Sequence, residues 1–111
     1  MGELLRRSSV KTLTIANGGT TSTTLDARQF AMFGLAVPAA FTGTAISFLV
    51  SNVSGGTFQA LYDSLGVVVS MAVTQGRSYD LPSALAAWPF IQIVSNGAEG
   101  GARTLLVMGK G

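Results

Sequence analysis

The sequence predicts an all-β domain: an antiparallel β-sandwich with a jelly-roll or related Greek-key order and eight or nine short strands. Three observations point there. Apolar and polar residues alternate in run after run, turns rich in Gly, Asn, Pro or Ser separate the runs, and no segment sustains the 3.6-residue apolar repeat of a substantial helix. The 111 residues suit a single domain, and neither an internal repeat nor a linker divides them. Residues 1–9 read as an arm, 10–108 as the sandwich and 109–111 as a short tail.

Lys11-Thr-Leu-Thr-Ile-Ala16 alternates, with Leu13 and Ile15 on one face. Asn17-Gly18-Gly19 is a turn signal because Asn and Gly tolerate positive φ, and the hydroxyl-rich Thr20 to Leu25 reads as the returning strand. Phe30 to Val37 is an apolar strand stopped by Pro38, whose ring disfavours helix at the preceding residue. After a connection over residues 38–43, Ala45 to Ser51 alternates, with Ile46, Phe48 and Val50 together. Asn52 to Gly56 is a loop, Thr57 to Tyr62 a strand, Asp63-Ser-Leu-Gly66 a turn, and Val67 to Val73 a strand of buried type. Gln75-Gly76 turns into Arg77 to Leu81, Pro82 to Ala87 holds a short turn of helix, and Phe90 to Val94 alternates again. Ser95 to Gly101 reads as a flexible loop before the last strand, Arg103 to Met108.

Composition narrows function. The absence of His and Cys excludes disulfides, imidazole or thiolate metal sites, and Ser/His or Cys/His nucleophilic machinery. Charged residues make up 11%, where about 25% is usual, and the net charge is only +2. The exterior must therefore be built largely from eleven Thr, eleven Ser, fourteen Gly and leftover apolar side chains. A lone soluble particle ordinarily carries about 25–35% charge on its surface. Such a neutral exterior is expected to lie against other subunits. The uncharged stretch Phe30 to Val50 is long enough for a hydropathy window, but Gly34, Pro38, Gly43 and the strand-like alternation after it argue against a membrane span. The N-terminal residues lack an apolar core of signal-peptide length, so no export by that route is expected.

Five acids (Glu3, Asp26, Asp63, Asp80 and Glu99) are scattered, and Asp26 and Asp63 sit beside turns, where Asp bonds local backbone. No enzyme, cofactor or metal is expected. The glycines of Gly97-Ala-Glu-Gly-Gly101 lack the spacing of a phosphate or dinucleotide loop. Leu4, Leu5, Arg6, Arg7 and Lys11 form a short apolar and basic arm, suited to a protein groove with an acidic rim. Without aromatic interleaving it does not read as a nucleic-acid binder. Tyr62, Tyr79 and Trp88 are candidates for a sugar-stacking platform, or for core and interface packing.

The runs Val37-Pro-Ala-Ala-Phe-Thr42, Ile46-Ser-Phe-Leu-Val-Ser51, Gly56-Thr-Phe-Gln-Ala-Leu-Tyr-Asp63 and Gly66-Val-Val-Val69 resemble those of small virion proteins of tailed bacteriophages. Ile91-Gln-Ile-Val-Ser95 and Arg103-Thr-Leu-Leu-Val107 fit the same order, so the likeness spans most of residues 10–108. The similar proteins are the jelly-roll decoration, cement or head-stapling proteins of phage heads. The resemblance implies a non-enzymatic protein on the capsid surface of a virion, bridging neighbouring major capsid subunits, with a homodimer as the simplest bridge across symmetric sites. Strand edges rich in Thr and Val are expected to add to a neighbour's sheet, and the arm to reach an adjacent subunit. The alternative is a receptor- or carbohydrate-binding module of a tail or fibre. The motifs are turn and core signatures, so they carry no site residue over.

Overall fold

In a computed structural model, which describes residues 8–28, 30 and 32–110, nine strands form two antiparallel sheets stacked as a β-sandwich. The strands are β1 (Ser8–Ile15), β2 (Leu25–Asp26), β3 (Met32–Ala36), β4 (Ala45–Ser51), β5 (Gln59–Ala60), β6 (Ser70–Ala72), β7 (Ser78–Asp80), β8 (Phe90–Ser95) and β9 (Arg103–Lys110). Sheet I runs β1-β9-β3-β7; sheet II runs β2-β8-β4, with β5 and β6 both on the outer edge of β4. Every connection changes sheet except those from β4 through β5 to β6. That alternation is the jelly-roll order, with β5 and β6 sharing one strand position.

Period-two patterning decides which side chains meet. Leu13 and Ile15 of β1, Leu105 and Val107 of β9, and Phe33 and Leu35 of β3 face Ile46, Phe48 and Val50 of β4 and Ile91 and Ile93 of β8. A single 3₁₀ turn, Ser83–Ala87, follows Pro82 and drives Leu85, fully buried, into the cluster. Among the described residues no helix is long and apolar enough to cross a membrane.

Four expectations need correction. Residues 8 and 9, assigned to an arm, and 109 and 110, assigned to a tail, are ladder residues, paired Ser8↔Lys110 and Ser9↔Gly109. Backbone bonds hold them, so no apolar pattern betrays them. The chain after Asn17-Gly18-Gly19 returns beside β1 only at Ile15↔Ser22 and Thr14–Thr23; its main pairing is with β8 of sheet II, at Thr21↔Val94 and Leu25↔Ile91. Hydroxyls make that corner possible, since Ser22 Oγ accepts the Ile93 N–H at 2.9 Å and Thr23 Oγ1 the Thr14 N–H at 3.1 Å. The stretches Thr57 to Tyr62 and Val67 to Val73 are not two full strands; only Gln59–Ala60 and Ser70–Ala72 pair with β4. Residues 95–101 are no free loop, because Glu99 is buried in them.

Candidate functional site

Register shows what happened to the outer strand of sheet II. Ala60 pairs with Leu49, but Ser47, two residues along, pairs with Ser70, so eight extra residues are looped out of one strand. They form a hairpin over 61–69, closed by Tyr62↔Val68, by Asp63 N–H to Val67 C=O at 2.8 Å and by Val69 N–H to Leu61 C=O at 2.9 Å. Gly66 turns at φ +80°, where only glycine sits without strain. Asp63 Oδ1 accepts the N–H groups of Leu65 at 2.9 Å and Val67 at 3.0 Å, so the carboxylate is engaged inside its own turn. Beside the exposed Asp63 and Ser64, the outside is apolar: Tyr62 is 58% exposed, Leu65 86%, Val67 57% and Val68 41%.

Farther along the same edge, a depression of about 250 Å³ is floored by the buried Phe41, Gly43 and Val73 and rimmed by the exposed Thr42, Thr44, Thr74 and Gln75. Its walls carry no ionisable side chain. The broad sheet faces are similar. On sheet I the outward positions include Val10, Thr12, Thr14, Thr104, Leu106, Gly34, Ala36 and Ser78, with Asp80 as the one charge among the described side chains. On sheet II they include Ala45, Ser47, Leu49, Gln92, Val94, Ala60, Ser70 and Ala72. Charge enters there only at the β2 corner, where Arg28 clasps Asp26 (Nε to Oδ1 3.0 Å, Nη2 to Oδ2 2.8 Å) and lies 5.3 Å over the ring of Phe90. The Arg28 side-chain hydrogen bonds, helped by its backbone N–H, hold the Asp26 carboxyl below the ordinary aspartate value. Both partners are well exposed, so the pair adds little stability.

The residues singled out for partner binding scatter. Leu4, Leu5, Arg6 and Arg7 lie outside the described residues. Lys11 is exposed on β1 and lines an open cleft of about 460 Å³ with Ser9, Asp26, Arg28 and Phe30. Tyr62 stands on the hairpin. Tyr79 packs on the core from β7, and its hydroxyl accepts the Thr74 N–H at 2.7 Å. Trp88, half-buried after the 3₁₀ turn, lines a hollow of about 180 Å³ with Ala86, Ala87 and Pro89, which adjoins the Lys11 cleft through the shared Arg28 and Phe30. The three aromatic candidates thus sit on three different elements.

Two features escaped the sequence reading. Leu65, Val67 and Val68 read as turn and buried strand, although Leu65 at the centre of Asp63-Ser-Leu-Gly66 had to be exposed in any four-residue turn. Glu99 is the other. Its Oε1 accepts Thr42 N–H at 2.8 Å and Arg103 Nε at 3.0 Å; its Oε2 accepts Gly43 N–H and Ser95 Oγ, each at 3.1 Å. Gly18 N–H donates to its carbonyl at 2.7 Å, and its own N–H to Gly19 C=O at 3.0 Å. Burial pushes the carboxyl up, but the donors Thr42, Arg103, Ser95 and Gly43 together outweigh it and hold Glu99 below the ordinary glutamate value. The signal available was Glu99 four residues before Arg103 in a chain with few charges. This clamp fixes loops: its carboxylate is buried, and both oxygens are engaged by protein donors. Among the described residues no three acids gather as a metal site.

No family model and no curated protein matches the sequence. Among solved structures, the SPBc2 prophage-derived protein YomS superposes with a TM-score of 0.59 at 12% identity, covering 99% of this chain and 100% of that one. A cupin domain from Bordetella pertussis gives 0.47 at 14% identity over 98% and 85% of the two chains. A protein of Bacillus endospore appendages, described as a novel family of disulfide-linked pili, gives 0.41 at 15% over 96% and 87%. At such identity the end-to-end match to YomS speaks for the fold alone: a small β-sandwich of this length.

Proposed function

We propose that this chain is a structural, non-enzymatic virion protein that decorates the surface of a tailed-phage head and staples neighbouring major capsid subunits. The observation that carries the reading is a rigid sandwich whose two broad faces are almost without charge and whose edge bears an apolar hairpin. Surfaces of that kind fit protein partners that cover them, and many repeats over a shell turn modest contacts into strong avidity. Support for a phage setting comes from the resemblance in the strand and turn runs and from the prophage-derived protein that shares length and fold. Support for a non-catalytic role comes from the acids, since Asp26 and Asp63 are engaged by local donors and Glu99 by donors from distant loops.

Heads purified with and without this protein test the reading. Heads lacking it should assemble but release DNA at lower temperature or in low salt. Unchanged heat and salt resistance, or absence of the protein from purified heads, would refute it. The second reading, a receptor- or sugar-binding module of a tail or fibre, rests on the exposed ring of Tyr62 and the partly exposed ring of Trp88. A glycan array with wild type and Tyr62→Ala separates the two.

A further inference from the structure

We propose that the interrupted edge of sheet II is a homodimer surface, on which the hairpin of one copy seats Leu65 in the Phe41–Val73 depression of a second copy and receives the same contact in return. This deepens the assembly reading above and rests on it. Three observations carry it.

First, the hairpin is an addition to the fold. A continuous strand would satisfy the edge of β4, yet eight residues leave the ladder and return to the same strand position. They leave as a stiff unit, because Asp63 closes the turn and cross-strand bonds close the stem. Stiffness matters, since a preformed knob loses little entropy when it docks.

Second, charge matches. The knob exposes Tyr62, Leu65, Val67 and Val68; its one carboxylate, Asp63, is exposed beside them but spends Oδ1 on its own backbone. The depression has an apolar floor and a rim of threonines and Gln75. Apart from that carboxylate, neutral meets neutral. A lipid surface fits less well, because the only group of the hairpin charged at neutral pH is an acid and anionic headgroups attract bases.

Third, the area closes only for a reciprocal contact. The exposed parts of the four side chains come to on the order of 400 Å², so one knob seated once, even if wholly covered, buries at most about 800 Å² counting both sides, the size of a crystal contact. Two reciprocal contacts reach at most about 1,600 Å², the standard size of a specific interface. Knob and depression share one edge: the hairpin leaves opposite Phe48, and Val73 bonds Thr44, four residues along β4 and so roughly 13 Å away. A two-fold axis crossing that edge pairs each knob with the other copy's depression.

The test is sedimentation equilibrium of the full chain, with Leu65→Ser and Tyr62→Ser compared with wild type. The exposed positions leave folding intact, which circular dichroism checks. The expected result is a concentration-dependent dimer whose Kd rises at least about tenfold in either variant. In the cysteine-free chain, Leu65→Cys combined with Thr44→Cys should give an oxidised covalent dimer that neither single variant gives. A wild type that stays monomeric at several hundred micromolar would overturn the proposal. So would unchanged association of Leu65→Ser, hairpin-to-hairpin crosslinking by Leu65→Cys alone, or sedimentation of wild type but not Leu65→Ser with phosphatidylcholine vesicles. A monomeric Leu65→Ser protein that still coats phage heads removes this proposal and leaves the decoration reading; a hairpin-dependent dimer that ignores heads does the reverse.

Discussion

Replacing Glu99 by glutamine removes a charge without removing volume, and the geometry sets the size of the effect. The carboxylate accepts from four donors, two on each oxygen. The amide keeps one acceptor. With its oxygen toward Thr42 N–H and Arg103 Nε, the NH₂ group meets Ser95 Oγ, whose hydrogen already has an alternative partner in the Gly97 carbonyl at 2.9 Å. The same NH₂ confronts Gly43 N–H, so a buried donor loses its acceptor, at about 1–3 kcal/mol. Weakening the charge-assisted bond to Arg103 adds about 1 kcal/mol. Glu99→Gln should therefore destabilise by about 2–4 kcal/mol, and Glu99→Ala by about 3–5 kcal/mol, since it leaves Arg103 without its carboxylate.

Trp88, the single tryptophan, reports urea unfolding by fluorescence. Because the native carboxyl lies below its unfolded value of about 4.3, its contribution is complete at neutral pH and is lost as pH falls through the lowered native value. The gap between wild type and Glu99→Gln should thus be widest at pH 7, begin to narrow near the unfolded value of about 4.3 and go on narrowing as pH falls through the lowered native value. A variant within about 0.5 kcal/mol of wild type at pH 7, or a gap that ignores acid, would show that the clamp holds nothing.

Gly43→Ala should cost about 1–3 kcal/mol by the same unfolding assay, because its methyl would collide with Ser95 Oγ and come within 2.9 Å of the Phe41 ring, beside the Glu99 clamp. Leu85→Ala should cost about 2–5 kcal/mol, with loss of urea midpoint at unchanged slope, since the 3₁₀ turn places this one fully buried side chain in the core. Asp63→Ala should leave global stability within about 1 kcal/mol while the Leu65 and Val67 amides exchange faster by hydrogen–deuterium exchange, as the turn loses its acceptor. On assembly, the amides of Val10 and Thr12 should gain no protection in the same experiment, because the contacts inferred here are made by side chains and not by adding a strand to β1.

Where alternation carried the information, the fold was legible: Leu13 and Ile15, Ile46, Phe48 and Val50, Ile91 and Ile93, and Leu105 and Val107 all face inward as their spacing requires. Local chemistry was legible too, in the turn at Gly18, the helical turn after Pro82, and the backbone bonds of Asp26 and Asp63. Illegible were the long-range facts. Glu99 meets Thr42 and Gly43 across more than fifty residues, and a glycine-rich flank disguises it as a loop residue. Val67 and Val68 read as core because a run of valines looks the same whether it is covered by its own chain or by a partner. Register is likewise a property of pairs: nothing within Gln59–Ala60 or Ser70–Ala72 announces that they share one strand position.

Edges and faces divide the work of association, and strand addition is the less favoured route. On β1 the parity set by Thr14, whose N–H and C=O both bond Thr23, turns the backbone groups of Val10 and Thr12 outward on the free side. Lys11, between them, has the core-facing parity of Leu13 yet stands exposed in the cleft beside Arg28. A strand laid along β1 would bring its own side chains against that ammonium, the inward-pointing charge by which edge strands resist addition. On the opposite sheet the hairpin interrupts the β4 edge at Phe48, so no long unpaired run is left to extend. With these two edges obstructed and the other edge strands, β7 and β2, only three and two residues long, strand addition is disfavoured relative to contact through side chains. The neutral faces and the apolar knob offer such contact, and under the proposed function the scarcity of charge follows from it.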